Sequence, residues 1–209
     1  QSLWWHYLYS MDKDFLRERA FVPMREAVVF LNAYMRRPEA RGPQWNDDKF
    51  HIYPTVAPEL HGLRADPLLN SDCIVDLTLT KFVFQAYLEA CRLLDRQEQE
   101  ADLMRDVREI LDNYPNYPKA ESQRGTVFVS VPGESPEQVY NAPASLASVF
   151  PGEEIGLHSP PEELQIAINT WNNQQNEGGN DLVFLNLQGA RIGQLDLERF
   201  KRQINYCLL

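Results

Sequence analysis

The chain has few cysteines, and those it has make no pattern. Cys73, Cys91 and Cys207 are an odd number at no metal-binding spacing, so neither a disulfide framework nor a zinc site is implied. Cys73 and Cys91 fall on the apolar side of a helical pattern and read as small buried hydrophobes. No apolar run approaches the roughly 20 residues needed to cross a bilayer, which argues against membrane insertion. Basic charge is also short: 20 Lys and Arg face 30 Asp and Glu, for a net charge of −10. A surface of that sign repels phosphate backbones and anionic headgroups, so nucleic acid is not an expected partner. There is no Gly-rich phosphate loop, no Gly-x-Ser-x-Gly and no Cys and His pair in a plausible order. No cofactor is assigned. Asp72 and Asp76 are spaced like a metal pair but lack a third ligand, and no metal is assigned either.

What remains is 209 residues with 44% hydrophobic and 24% charged content, enough to bury one core and ordinary for a globular protein. Apolar spacing of three and four recurs, with Pro, Gly and Asn clusters between the periodic segments. Helices are predicted at Leu3–Ser10, from Pro23 to about Arg37, and after a cap at Ser71 or Asp72. In the last, Val75, Leu79, Phe82, Val83, Ala86, Tyr87 and Ala90 form the stripe. A tight break near Asp95 leads to a partner helix with Leu103, Val107 and Ile110 inward, making a helical hairpin. Thr126–Val131 alternates as a strand does but is closed in by Gly125, Pro132 and Gly133, which predicts a small β element in a loop. Helix signals return at Pro160–Glu162, and two final helices, Leu182–Ala190 and Asp196–Cys207, are separated at Gly193.

Between Glu39 and Ser71 runs a stretch far longer than the usual connection of roughly 4 to 6 residues. Trp45, Phe50, Ile52, Tyr53 and Val56 make it too apolar for a solvated tail. It is expected to pack over a cleft, with a short extended piece at Phe50–Tyr53. The whole reads as mainly α, with paired helices and long loops at one end, the pattern of a helical toroid. A closed toroid needs more hairpins than these 209 residues hold, and both ends break into helical pattern. The chain is therefore expected to be one domain, residues 1–209, cut from a larger barrel with further helices on both sides. Apolar edges left this way would favour self-association.

The segment LWWHYLYSMDKDFLRERAFVPMREAVVFL, Leu3 to Leu31, resembles glycoside hydrolase family 95 where that family reads Leu-Trp-Glu-His-Tyr, then Gly-Asp, Phe-Leu and a long helix; Trp4, His6, Tyr7, Asp12, Phe15 and Leu16 fall on the pattern. Tyr53–Glu59 is similar to its Pro-Ser-x-Ser-Pro-Glu loop, Ser71–Ala90 to its next long helix, and Val149–Ala167 to its Tyr-Pro-Gly-x-x-Ile segment with the Pro-opened helix after it. The resemblance implies a partial (α/α)6 toroid that hydrolyses a glycosidic bond, with α-L-fucosides or α-L-galactosides as the substrate class. Such a class fits polysaccharide degradation by a secreted or periplasmic protein.

Glycoside hydrolysis needs a protonated carboxyl at the leaving oxygen and a base that activates water, roughly 6.5 to 9.5 Å apart in inverting enzymes. Glu59 takes the position of the family's acid. Its neighbours Tyr53, Val56 and Leu60 are of a kind that desolvates a carboxyl and favours its protonated form. The family's water-activating asparagines and aspartate correspond to positions outside this chain, so the isolated 209 residues are expected to be inactive or nearly so. Trp45, with Asn46, Asp47 and Asp48, has the chemistry to stack on and bond a sugar, since an aromatic face matches the C–H face of a pyranose, and a solvated acidic turn accounts for the same run equally well. His51, Tyr53 and His61 flank Glu59 in the same long stretch and are expected as further sugar-binding residues. Asn180 and Asp181 close a Gly-Gly hinge that resembles the family's Gly-rich loop. Two positions depart from the family: Leu60 follows the acid where an Asn is usual, and Tyr140–Pro143 replaces a His-Arg-His run. The residues leave two other readings open, a non-catalytic carbohydrate-binding toroid and a structural helical domain that docks another protein.

Overall fold

A computed structural model of the chain describes residues 1–58, 60–62, 70–140, 142–176 and 181–208. The side chains of residues 140, 175, 176, 181–183 and 207 lie outside that description, as do Glu59 and Asn180 entirely. Two compact units emerge, Gln1–Pro54 with Leu79–Asn116, and Thr55–Thr78 with Tyr117–Leu209. The fold is mainly α with small β elements, as the periodicity implies.

In the first unit, helix α1 (Ser2–Ser10) ends where Met11 turns left-handed, φ 56°, and its N–H bonds the Tyr7 carbonyl. Asp12 then caps α2 (Lys13–Phe15), its carboxylate accepting the N–H groups of Asp14 and Phe15 at 2.9 Å. Instead of a new helix opening at Pro23, the chain stays helical from Lys13 through a π turn at Leu16–Ala20 into α3 (Phe21–Met35). Pro23 can donate no helical bond and its ring crowds the carbonyl four residues back, and the wide turn just before it loosens that ladder. Phe21, Met24, Val28 and Met35 face the core, while Ala27 is exposed.

Helix α4 (Ile74–Leu93) starts with Cys73, whose carbonyl accepts the Leu77 N–H, rather than with Ser71 or Asp72. Its most buried positions are Ile74, Leu77, Phe84, Tyr87, Ala90 and Cys91, whereas Leu79, Phe82 and Val83 are half-buried. A helix apolar nearly all round gives periodicity little to choose between faces. It ends in a Schellman arrangement: Asp95 is left-handed at φ 53°, Arg96 N–H reaches the Cys91 carbonyl and Asp95 N–H the Arg92 carbonyl. Helix α5 (Ala101–Asp112) follows, burying Met104, Val107 and Ile110. Phe21 and Tyr87 rings meet at 6.0 Å, and Glu100 takes the Tyr87 hydroxyl and the Arg25 guanidinium, each at 2.9 Å.

The second unit is built on an antiparallel hairpin, β1 (Lys119–Ser122) with β2 (Gly125–Phe128), in register Lys119↔Phe128 to Ser122↔Gly125. A two-residue parallel pair, β3 (Val139–Tyr140) with β4 (Gln175–Asn176), is a second β element that the sequence does not announce. Helix α6 (Pro161–Asn173) lies on β2, and Thr170 Oγ1 accepts the Phe128 N–H at 2.8 Å. Ile74, Phe128, Leu146, Val149, Ile155, Ile166, Ala167 and Ile192 form its core. Helices α7 (Asp181–Arg191) and α8 (Leu197–Cys207) fall within a residue or so of their predicted bounds; Gly193 at φ +73° separates them and Asp196 caps α8 through the Arg199 N–H.

Candidate active site

The long connection of the first unit is ordered by its aromatic residues. Phe50 and Ile52 are buried, and Phe50 N–H bonds the Asn113 carbonyl and His51 N–H the Ala40 carbonyl, so the expected extended piece is held by scattered bonds and not by a ladder. Trp45 stacks on His51, centroids 3.9 Å apart and planes 11° from parallel, and meets Tyr53 edge-on at 5.8 Å. Three of the predicted sugar-contacting residues are thus one cluster. His51 Nε2 lies 3.0 Å from Asp47 Oδ1, which also accepts the Lys49 N–H. Partial burial pushes the Asp47 carboxyl up, but the bonds from His51 and Lys49 outweigh it and leave the group below its ordinary range. Asp47 is therefore a turn acceptor tied to His51. Trp45 Nε1 donates to the Glu39 carbonyl at 3.0 Å, and Arg37 and Tyr34, at the end of α3, hold the carbonyls of Tyr53 and Pro54.

In the second unit the chain on either side of Glu59 is pinned. Ala57 is fully buried in a small cluster with Cys73 and Val131, against which Leu60 packs. Asn70, 2% exposed, receives the Thr55 N–H on its carbonyl at 2.9 Å, and its side-chain Nδ2 donates to the carbonyls of Thr55 at 3.1 Å and His61 at 2.7 Å. The Thr55 hydroxyl donates to Asp76 in the first turn of α4. Burial raises the Asp76 carboxyl above its ordinary range, and the Thr55 bond only partly offsets this. Burial, with the Asp76 charge behind it, pushes the Cys73 thiol up to about 11.

His61 closes the same loop. It sits in the left-handed region at φ 51° and its Nε2 lies 2.7 Å from Glu134 Oε1; the Glu134 side chain is 4% exposed. The other oxygen of Glu134 accepts the Ser130 N–H at 2.6 Å. Glu134 reaches Ser130 because Pro132–Gly133 turns the chain back, with Gly133 at φ +80° and Glu134 N–H on the Val131 carbonyl. Ser130 in turn gives its carbonyl to the Ile74 N–H at the start of α4. A groove of about 430 Å³, open mouth included, is lined by Leu60, Ser130, Glu134, Gln138, Thr170 and Asn173, among others. Among the described residues lining it, Glu134 alone is ionisable.

Of the predicted site residues, then, Trp45, His51 and Tyr53 are gathered in the first unit, and His61 belongs to the second. Glu59 and Asn180 lie outside the described residues, and Asp181 is known only as the first residue of α7. Sequence reading missed Glu134, Asn70 and Asp76 as the partners of Thr55 and His61. Only the Pro132–Gly133 turn signalled that the acid after it is aimed backwards.

The chain matches the glycosyl hydrolase family 95 catalytic domain over residues 1–194. It belongs to that family, a class of glycoside hydrolases whose substrates are carbohydrates. No curated protein matches it.

Proposed function

We propose that the protein carrying this chain hydrolyses a glycosidic bond with inversion, Glu59 giving its proton to the leaving oxygen as water attacks the opposite face of the sugar. The substrate class is an α-L-fucoside or α-L-galactoside within an oligosaccharide or polysaccharide. Trp45, His51, Tyr53, Asn180 and Asp181 serve as sugar contacts, and the water-activating groups come from outside these 209 residues, so that the chain alone turns over little or nothing. The observation that supports this reading, beside the family, is the loop Thr55–His61: Asn70 joins its two ends and Ala57 is buried within it. Fixed ends on a surface loop are expected where the position of a group that the loop carries sets a rate.

Incubating the complete protein with aryl α-L-fucoside, α-L-galactoside and the common gluco and galacto forms tests it. The first-formed anomer is then read by proton NMR. Cleavage of one sugar with inverted configuration is expected. Retained configuration overturns the mechanism, and no cleavage by the complete protein, on aryl glycosides or natural oligosaccharides, overturns the function.

A further inference from the structure

We infer that Glu134 and His61 form a latch that sets the position of the Glu59 loop for proton transfer, an inference that rests on Glu59 being the acid. Both oxygens of Glu134 are engaged, Oε1 with His61 Nε2 at 2.7 Å and Oε2 with the Ser130 N–H at 2.6 Å. With no oxygen left over and a side chain 4% exposed, Glu134 is built to hold and not to exchange protons with a substrate. What it holds is the residue two places after Glu59, in a backbone region that non-glycine side chains seldom enter, φ 51°. A left-handed His is stable there because its side chain and its carbonyl each have a partner, Glu134 and Asn70.

The other side of the latch is rigid. Ser130 follows the end of strand β2, its neighbour Val129 bonds the Pro118 carbonyl, and its own carbonyl receives the Ile74 N–H of helix α4. Glu134 therefore transmits to His61 the position of the hairpin and of the helix start together. His61 and Glu134 are 73 residues apart in the chain, so no local preference places them, and the pair fixes where the loop ends in space. In this role both are positioning residues, and His61, expected from the sequence as a sugar contact, acts through the loop that carries Glu59 instead.

The consequence is separable from ordinary stability. A displaced acid slows only steps that need its proton. Glycosides of a poor leaving group, such as methyl or 4-methoxyphenyl, depend on it, and a 2,4-dinitrophenyl glycoside departs without it. In the complete protein, Glu134→Gln keeps size and one acceptor but loses the charge, and His61→Asn keeps a residue that tolerates the left-handed region but is too short to reach Glu134. Both variants should lower kcat on the poor leaving group by roughly 10- to 100-fold, the effect of a misplacement on the order of 1 Å. KM should stay within about threefold and turnover of the dinitrophenyl glycoside near wild type. Amide exchange at Leu60, whose N–H bonds the Ala57 carbonyl, should quicken in both.

Equal losses on the two substrates, or unchanged rates with unchanged exchange, overturn the latch. Glu59→Gln, assayed beside them, separates the two levels. If it loses the poor leaving group while Glu134→Gln and His61→Asn do not, the acid stands and the latch falls. If it shows no leaving-group dependence, the acid assignment falls and the latch with it. Should Glu134→Gln fail to fold, His61→Asn decides alone.

Discussion

The Nδ2 of Asn70 donates to the carbonyl oxygen of His61 at 2.7 Å and to that of Thr55 at 3.1 Å. One buried amide thus closes the loop that contains Glu59, and the Asn70 carbonyl takes the Thr55 N–H as well. Replacing Asn70 by Ala strands buried carbonyls, each worth about 1–3 kcal/mol when left unpaired. Asn70→Ala should lower stability by about that amount in urea denaturation. Asn70→Asp should be no better, because an ionised carboxylate has no hydrogen to donate.

Asp76 gives a pH signature with a definite sign. Its native proton affinity is raised by burial, so as pH rises through the carboxylate range the unfolded chain releases its proton before the folded one does. The native state then binds more protons, and stability falls with rising pH over that window. Asp76→Asn removes the charge while keeping an acceptor for the Thr55 hydroxyl. The variant should come closest to wild type at the acid end of that window and exceed it in stability at pH 7, measured by thermal or urea unfolding across the range.

Gly152, in the Phe-Pro-Gly segment that resembles the family motif, is a glycine for lack of space. A Cβ there would stand 2.0 Å from Thr78 Cγ2 and 2.8 Å from the Ala147 carbonyl oxygen. Gly152 N–H also bonds that same carbonyl, so the backbone on that side has little room to retreat. Gly152→Ala should cost about 1–3 kcal/mol, as overpacking does, and the double variant Gly152→Ala with Thr78→Ser should recover part of it.

Cys73 is fully buried and its thiol is pushed up to about 11, by burial first and then by Asp76. At pH 8 it is a thiol and out of reach, so a disulfide exchange reagent should label it only as fast as the second unit opens. Labelling of Cys73 itself in native protein within seconds, read by peptide mapping, would contradict this.

How much of this was legible beforehand depended on whether the physics was local. Asp196, Asp95 and Gly193 act on neighbours a few residues away, and the helix ends they make fall close to the predicted ones. Pro23 misled because a π turn upstream let the helix run through it. The face of α4 was obscured because apolar residues surround that helix. The aromatic content of the long connection correctly announced packing, and Trp45, His51 and Tyr53 do meet. The partners of Thr55 and His61 were not legible: His61 meets Glu134 across 73 residues, and Thr55 meets Asp76 across 21. Such pairings follow from topology, which no spacing in the sequence encodes.

The central claim is that Glu59 is the proton donor of a glycoside hydrolase, and hydrolysis by the complete protein and its Glu59→Gln variant tests it most directly. On an unactivated glycoside of the sugar that wild type cleaves, the variant should be slower by roughly 10²- to 10⁴-fold, the usual contribution of general acid catalysis, with the loss shrinking as the leaving group improves. Turnover of the variant at the wild-type rate on that substrate would contradict the assignment.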